Sequence, residues 1–315
     1  MTPERNASPI RLLPSPEPLT QAVLAFSQRL EAQGRSPNTI SAYQRDLMTL
    51  ARVLTERHPG LSLERVSPGM LDEALTSPDI ARTSQSKPRS PASLHRFKAA
   101  LRSFFAWAKD TGLVVENAAR SVTLHRLPRT PPVFLTEAEK KRLLKELRGQ
   151  TSSMATRDRL IIELFLGTSI RLQELVDLDL EDVDLDAKHL RVRHAKGNVP
   201  QLKFLKTDLR SLLRSYLAER RRQGTGECSA LFLSNRETRL SPRQVARRLE
   251  HWLEAAGIAK HIGPHALRHT FATHLYSKTG DILVVQRALG HRDLSTTQVY
   301  THLVDGVLEE AIERL

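Results

Sequence analysis

The sequence predicts a mainly α protein in two domains, a small all-α N-terminal domain followed by a mostly helical α+β domain with a small β-hairpin. Three observations predict it. Apolar residues recur at helical spacing along most of the chain. Ser-Pro pairs and glycines punctuate those stretches as starts and stops, and one short segment alternates with the period of a strand. At 315 residues the chain is long enough to bury two cores of ordinary size.

Residues 1–18 contain five prolines and read as a disordered lead-in. A first helix follows from Leu19, with Val23, Phe26 and Leu30 on one stripe and Gly34 as its stop. Ser36 and Pro37 start the next, which places Ile40, Tyr43, Leu47, Leu50 and Leu54 on one face. Ser67-Pro68 and Ser90-Pro91 repeat the start signal. After the second come Leu94, Phe97, Leu101, Phe104 and Ala108, before Gly112. Residues 19–112 are therefore expected to form the four-helix N-terminal domain. Between 113 and 132 the periodicity fades and Pro128, Pro131 and Pro132 appear, which marks a linker.

The second domain, residues 133–315, opens on a capping box formed by Thr136 and Glu139. A helix over 157–166 follows. Leu190, Val192, Val199, Leu202 and Phe204 then alternate with polar neighbours around the turn-prone triplet Lys196-Gly197-Asn198, the pattern of a β-hairpin with a lysine at its tip. Ser241-Pro242, Pro264, Asp281 with Gly290 as its stop, and Ser295 signal further helices.

Composition excludes several classes of protein. The single Cys228 forms no internal disulfide, which fits a reducing cytoplasm. No run of about 18 apolar residues is present, so a membrane span is not expected, and the N-terminus lacks the apolar stretch of a signal peptide. The 48 Lys and Arg against 35 Asp and Glu leave a net charge of +13, which points to a polyanion such as nucleic acid as partner. Residues 82–129 hold ten Lys or Arg against only Asp110 and Glu116. There the helix from Pro91 can pack one face and offer Arg96, Lys98, Arg102 and Lys109 on the other.

Four separated patches carry polar residues that a purely structural helix does not require: Arg171 with Glu174, the Lys196 turn, His265 with Arg268, and Leu289-Gly290-His291 followed by Tyr300. His265 and Arg268, three residues apart, share one helix face. His291 follows a helix-stopping glycine and is displayed from a turn. Each patch alone has a bland rival: Tyr300 as an amphipathic-helix tyrosine, Lys196 as a solvated tip, Arg171 as a helix cap or the partner of Glu174 alone.

As an ordered set these residues resemble the tyrosine recombinases, in their Xer-type and phage-integrase branch. That family's pattern is an arginine before a helix, a hairpin lysine, a His-x-x-Arg pair, a Leu-Gly-His turn and a tyrosine on the next helix. Arg171, Lys196, His265, Arg268, His291 and Tyr300 occupy those places in that order. The helix start Gly34-Arg-Ser-Pro-Asn-Thr39 is similar to the family's N-terminal DNA-binding domain. Two departures stand out. Ser169 is found where the family usually has glycine, and serine reaches left-handed backbone only at a cost; Gln173 replaces a small residue. Residues 77–91 also form a longer loop than is typical.

The resemblance implies attack of the Tyr300 hydroxyl on a phosphodiester of double-stranded DNA, giving a 3′-phosphotyrosyl link and a free 5′-hydroxyl, and then reversal onto another strand. Covalent catalysis conserves the bond energy, so no cofactor is expected. A phenol of pKa about 10 needs a base or cations nearby. His265 is the candidate base, Arg171 and Arg268 would bind the non-bridging oxygens in place of a metal, Lys196 would protonate the leaving oxygen, and His291 would hydrogen-bond the phosphate. Glu174 would orient Arg171 from behind. A homotetramer on two DNA sites is implied, with the C-terminal stripe Val307, Leu308, Ala311, Ile312 and Leu315 docking on a neighbour or on its own core. A type IB topoisomerase-like enzyme and a catalytically silent DNA-binding repressor remain as alternatives.

Other features carry weaker expectations. His265, His269 and His274 lack the Glu and Cys partners of a zinc site, so no metal is expected. The acidic run from Asp177 to Asp186 reads as a solvated face. Arg220-Arg221-Arg222 reads as serving a helix dipole or touching phosphate.

Overall fold

The structure is a computed structural model and describes residues 18–83, 85–124, 132–193, 200–222 and 228–290. The chain divides after Pro128 into two compact units.

The N-terminal unit is all helical: α1 (Pro18–Ala32), α2 (Pro37–Arg57), α3 (Pro68–Thr76), the short α4 (Pro78–Ala81) and α5 (Pro91–Asp110). Its starts follow local chemistry. The Ser36, Ser67 and Ser90 side chains each accept a hydrogen bond from the backbone N–H three residues on, and a proline opens each following helix. Gly34 and Gly112 end α1 and α5 with φ of +69° and +74°. Phe26, Leu47, Leu54, Phe97, Leu101 and Phe104 are buried together in its core.

Two features differ from the sequence reading. Part of the expected loop at 77–91 folds as α4, whose Ile80 is fully buried. Val114, Ala118, Ala119 and Val122, within the stretch expected to be linker, pack into this core.

On α5, Arg96 is not a free surface charge. Its Nε and Nη2 donate to the two carboxylate oxygens of Asp46 at 2.9 and 3.2 Å, and Arg89 approaches the same carboxylate at 3.5 Å. Asp46 is buried, so this pairing compensates a charge that would be costly alone. Arg102 and Lys109 on the same helix are exposed.

The second unit comprises α6 (Glu137–Arg148), α7 (Ser153–Thr168), α8 (Leu172–Val176), strands β1 (Val183–Asp184), β2 (His189–Val192) and β3 (Gln201–Phe204), then α9 (Thr207–Arg222), α10 (Pro242–Ala255), α11 (Pro264–Thr279) and α12 (Ile282–Leu289). The Thr136–Glu139 capping box is present, and Ser241 with Gln244 forms another. α7 is buried nearly all round, the charged Arg157, Asp158 and Glu163 included; its Leu160, Leu164 and Phe165 lie in one core with Leu209, Leu213, Leu249 and Trp252.

The three strands form an antiparallel sheet in the order β1-β2-β3. β2 and β3 pair antiparallel on either side of the segment that contains Lys196, which lies outside the described residues, but their register does not follow the apolar alternation. An all-apolar face needs Leu190 opposite Phe204 and Val192 opposite Leu202. The structure pairs Leu190 with Lys203 and Val192 with Gln201. Lys203 is therefore buried beside Leu190, while Leu202 and Phe204 are 51% and 76% exposed. A one-residue change of register moves a whole strand's side chains to the other face, and it has done so here.

The acidic run is likewise not a solvated face throughout. Asp182 is buried, and the Arg193 and Arg239 guanidiniums both hydrogen-bond the Asp179 carboxylate. Burial alone would raise the pKa of Asp179, but the hydrogen bonds from Arg193, Arg239 and Ser229 bring it down to about 2. Arg220 serves neither of its expected purposes. It is buried and donates to the backbone carbonyls of Ala230, Leu231 and Cys228, tying α9 to the strand-like segment behind it.

Candidate active site

The site begins where α7 ends. Ser169, fully buried, takes left-handed backbone (φ 56°, ψ 22°), and the chain then turns through buried Ile170 to Arg171, the N-cap of α8. The cost that serine carries at this position is thus met in the fold. Its hydroxyl offsets part of it by donating to the Ala288 carbonyl at 2.9 Å.

Glu174 holds Arg171 twice: the Arg171 backbone N–H donates to Glu174 Oε2 at 2.9 Å and its Nη1 to Oε1 at 2.6 Å. The Glu174 side chain is 4% exposed and that of Arg171 23%. The carboxylate is therefore the inner member of the pair, and the guanidinium is oriented with one edge toward solvent.

His265 and Arg268 come from the first two turns of α11, which Pro264 opens after Gly263. Arg268 is buried; its Nη1 donates to the carbonyl of Ser169 and its Nη2 to that of Leu289. It thereby ties the end of α7 to the end of α12. His265 is exposed and meets the ring of His269 edge to face at 5.2 Å. Desolvation, then the charges of Arg268 and Arg171, hold the His265 pKa below its usual value. The imidazole is thus neutral near pH 7 and able to accept a proton. His269 is pushed further down, to about 4, by desolvation, His265 and Arg268. His274 instead pairs with Glu137 at 3.0 Å.

α12 ends at Gly290 with φ of +66°. That left-handed turn is what calls for glycine, and any side chain would also displace the Gln201 amide, whose Oε1 lies 2.3 Å from where a Cβ would stand. Gln201 Nε2 donates to the Gly290 carbonyl at 3.5 Å and Lys203 Nζ to the Ala288 carbonyl at 3.1 Å. Desolvation, then Arg268, lowers the Lys203 pKa to about 8, with Arg171 adding to the effect and Glu174 opposing it.

Three of the six expected residues are thus gathered: Arg171, His265 and Arg268 lie close enough for both guanidiniums to act on one imidazole. Lys196, His291 and Tyr300 lie outside the described residues, although the chain enters the Lys196 turn between β2 and β3 and reaches His291 directly after Gly290. The sequence reading missed Lys203 and Gln201, because their inward placement depends on the strand register. Arg171 and Arg268 against Glu174 leave a surplus of positive charge at a partly buried site, an arrangement suited to a phosphate.

The model of the phage integrase family matches residues 133–306, and that of the phage integrase N-terminal SAM-like domain matches residues 23–112. Tyrosine recombinase XerC of Proteus mirabilis is 35% identical over 93% of this chain and 92% of its own length. The XerC of Thermodesulfovibrio yellowstonii is 34% identical over 86% and 87%. Among solved structures, XerH recombinase in a post-cleavage complex with its palindromic difH substrate superposes with a TM-score of 0.71 at 24% identity, covering 93% of this chain and 84% of that one. XerA recombinase gives a TM-score of 0.51 at 28% identity, covering 94% and 98%. The chain belongs to the phage integrase family, the tyrosine recombinases.

Proposed function

We propose that this protein is a site-specific DNA recombinase that cleaves and rejoins strands through a 3′-phosphotyrosyl intermediate. The observation that carries this reading is the placement of Arg268 between the carbonyls of Ser169 and Leu289, with Arg171 two residues after Ser169 and His265 one helical turn before Arg268, in a chain of this family.

In this reading the two guanidiniums bind the non-bridging oxygens of the scissile phosphate and take up the charge that develops there. The Tyr300 oxygen attacks phosphorus as its proton passes to His265. The bond to the 5′-oxygen breaks, and that oxygen takes a proton from Lys196. His291 hydrogen-bonds the phosphate. Rejoining reverses these steps, with a 5′-hydroxyl of another strand displacing the tyrosine. No metal or nucleotide cofactor is needed for the charge or energy balance.

The same reading makes residues 19–112 a DNA-binding domain and 133–315 the catalytic domain, together holding a duplex. A lambda integrase tetramer bound to a Holliday junction has the same fold, with a TM-score of 0.64 at 20% identity. This supports a tetramer on two sites, with residues 307–315 reaching a neighbouring protomer. No helix among the described residues is long and apolar enough to cross a membrane, and work on DNA fits a cytoplasmic protein.

The test is incubation of the full chain with a library of nicked duplexes carrying a randomised central segment, followed by SDS and sequencing of the DNA that stays attached. An SDS-stable adduct on a defined sequence supports the reading; binding without an adduct leaves the silent repressor. Relaxation of supercoiled plasmid without exchange between two copies of the recovered sequence would favour the topoisomerase-like alternative.

A further inference from the structure

Strand β3 is built against its own sequence. Lys203 and Gln201 point inward where Leu202 and Phe204 would satisfy the core, and the two apolar side chains stand in solvent. Burying an ammonium is costly unless it is compensated, and exposing two large apolar side chains forgoes the stabilisation their burial would bring. Local rules broken together in this way mark a functional position.

The inward pair meets one target. Lys203 donates to the carbonyl of Ala288 and Gln201 to that of Gly290, while Ser169 shares Ala288 and Arg268 takes Leu289. The last three carbonyls before His291 are thus all held by groups of this site. An α-helix leaves its final carbonyls without partners of its own, and the negative end of its dipole favours a cation, so α12 offers the receptor that an inward lysine requires. β3 starts at Gln201, five residues after Lys196. One strand therefore joins the segment bearing Lys196 to the turn from which His291 and Tyr300 continue.

We propose that Lys203, with Gln201, is a positioning residue of the recombinase site: it latches the C-terminal end of α12 onto β3 and so fixes the start of β3 and the Gly290 end of α12 relative to each other and to the arginines. This rests on the functional reading above. The charged groups around Lys203 come from each element packed on it: Arg268 from α11, and Arg171 with Glu174 from the start of α8. Glu174 is already engaged by Arg171, which leaves the α12 carbonyl as the partner the ammonium contacts.

The test uses the full chain with Lys203→Met, close in length and without charge, and Gln201→Met, which removes the second contact and leaves Lys203 in place. Three quantities are read on the nicked duplex recovered from the library: equilibrium affinity, the single-turnover rate of adduct formation at saturating DNA, and amide hydrogen exchange in the last turn of α12. Misplacing reacting groups by about 1 Å costs up to roughly a hundredfold in rate, so the expected result is an adduct rate lowered about ten- to a hundredfold. Affinity should stay within about twofold, because neither side chain is placed to carry the bulk of phosphate contacts, and exchange at the end of α12 should accelerate.

A wild-type adduct rate in both variants overturns the latch, as does a loss of rate matched by an equal loss of affinity. Should Lys203→Met fail to fold, Gln201→Met decides alone by the same criteria. Absence of any adduct with the unmodified chain would instead overturn the functional reading, so the two failures are distinct.

Discussion

Arg268 donates a hydrogen bond to the carbonyl of Ser169, the left-handed residue that ends α7. A second nitrogen of the same guanidinium holds the carbonyl of Leu289. The inner arginine of the site is thus clamped between two helix ends before any substrate arrives, and the backbone of Ser169 is one jaw of the clamp.

Substitution at 169 separates strain from hydrogen bonding. Ser169→Ala keeps the left-handed strain and loses the hydroxyl contact to Ala288, whereas Ser169→Gly loses the same contact and relieves the strain. Left-handed backbone costs a non-glycine residue about 1–2 kcal/mol, partly offset by the greater freedom of glycine in the unfolded chain. Ser169→Gly should therefore be the more stable of the two variants by several tenths to about 1 kcal/mol in denaturant unfolding. The reverse order would show that the backbone at 169 is not strained.

Tyr300→Phe removes a single oxygen. It should abolish the SDS-stable adduct while leaving DNA affinity within about twofold, since only the nucleophile is lost. An adduct formed by this variant would place the nucleophile elsewhere.

Chelation should leave cleavage unchanged. In the proposed mechanism Arg171 and Arg268 supply the positive charge that a metal would otherwise bring. A strict requirement for magnesium, read as loss of adduct in EDTA and recovery on addition of the ion, would contradict that assignment.

The basic residues of α5 should sort into two groups. Arg102 and Lys109 are exposed, and each one that touches phosphate should, on replacement by alanine, reduce the slope of log K against log salt by about 0.9. Arg96→Ala should act differently, because it strips a partner from buried Asp46. A loss of about 1–3 kcal/mol of stability is expected there. Equal salt slopes for all three variants and the parent would remove α5 from the DNA-binding surface.

Acid should weaken the second unit in two pH windows. The folded pKa of His269 is depressed from 6.5 to about 4, so its contribution is present above 6.5 and lost as pH falls through about 4. Asp179 is depressed from 3.8 to about 2, so its contribution is present above 3.8 and lost as pH falls through about 2. Urea midpoints measured against pH should flatten in the first window for His269→Gln and in the second for Asp179→Asn. An unchanged slope in either variant would assign that window to other groups.

Much of this protein is written locally. Ser36, Ser67, Ser90 and the Thr136–Glu139 pair start helices, and Gly34, Gly112 and Gly290 stop them, because a cap is decided among residues three or four apart. Arg171, His265 and Arg268 were legible for a different reason: their types and order match a family pattern, and the Arg171–Glu174 contact lies within one helical turn. The partners of Arg96, Arg193 and Arg220 were not legible, since each lies eight or more residues away in the chain.

By itself, then, the sequence determined most of the helices with their ends and the antiparallel partnership of β2 and β3, because each depends on near neighbours. Only the tertiary structure decided which face of β3 turns inward. Apolar alternation favours Leu202 and Phe204 there, but Lys203 and Gln201, turned inward, donate to the carbonyls of Ala288 and Gly290 at the end of α12, some 85 residues further on. A strand's register is set by what it packs against, and that partner is fixed by the fold.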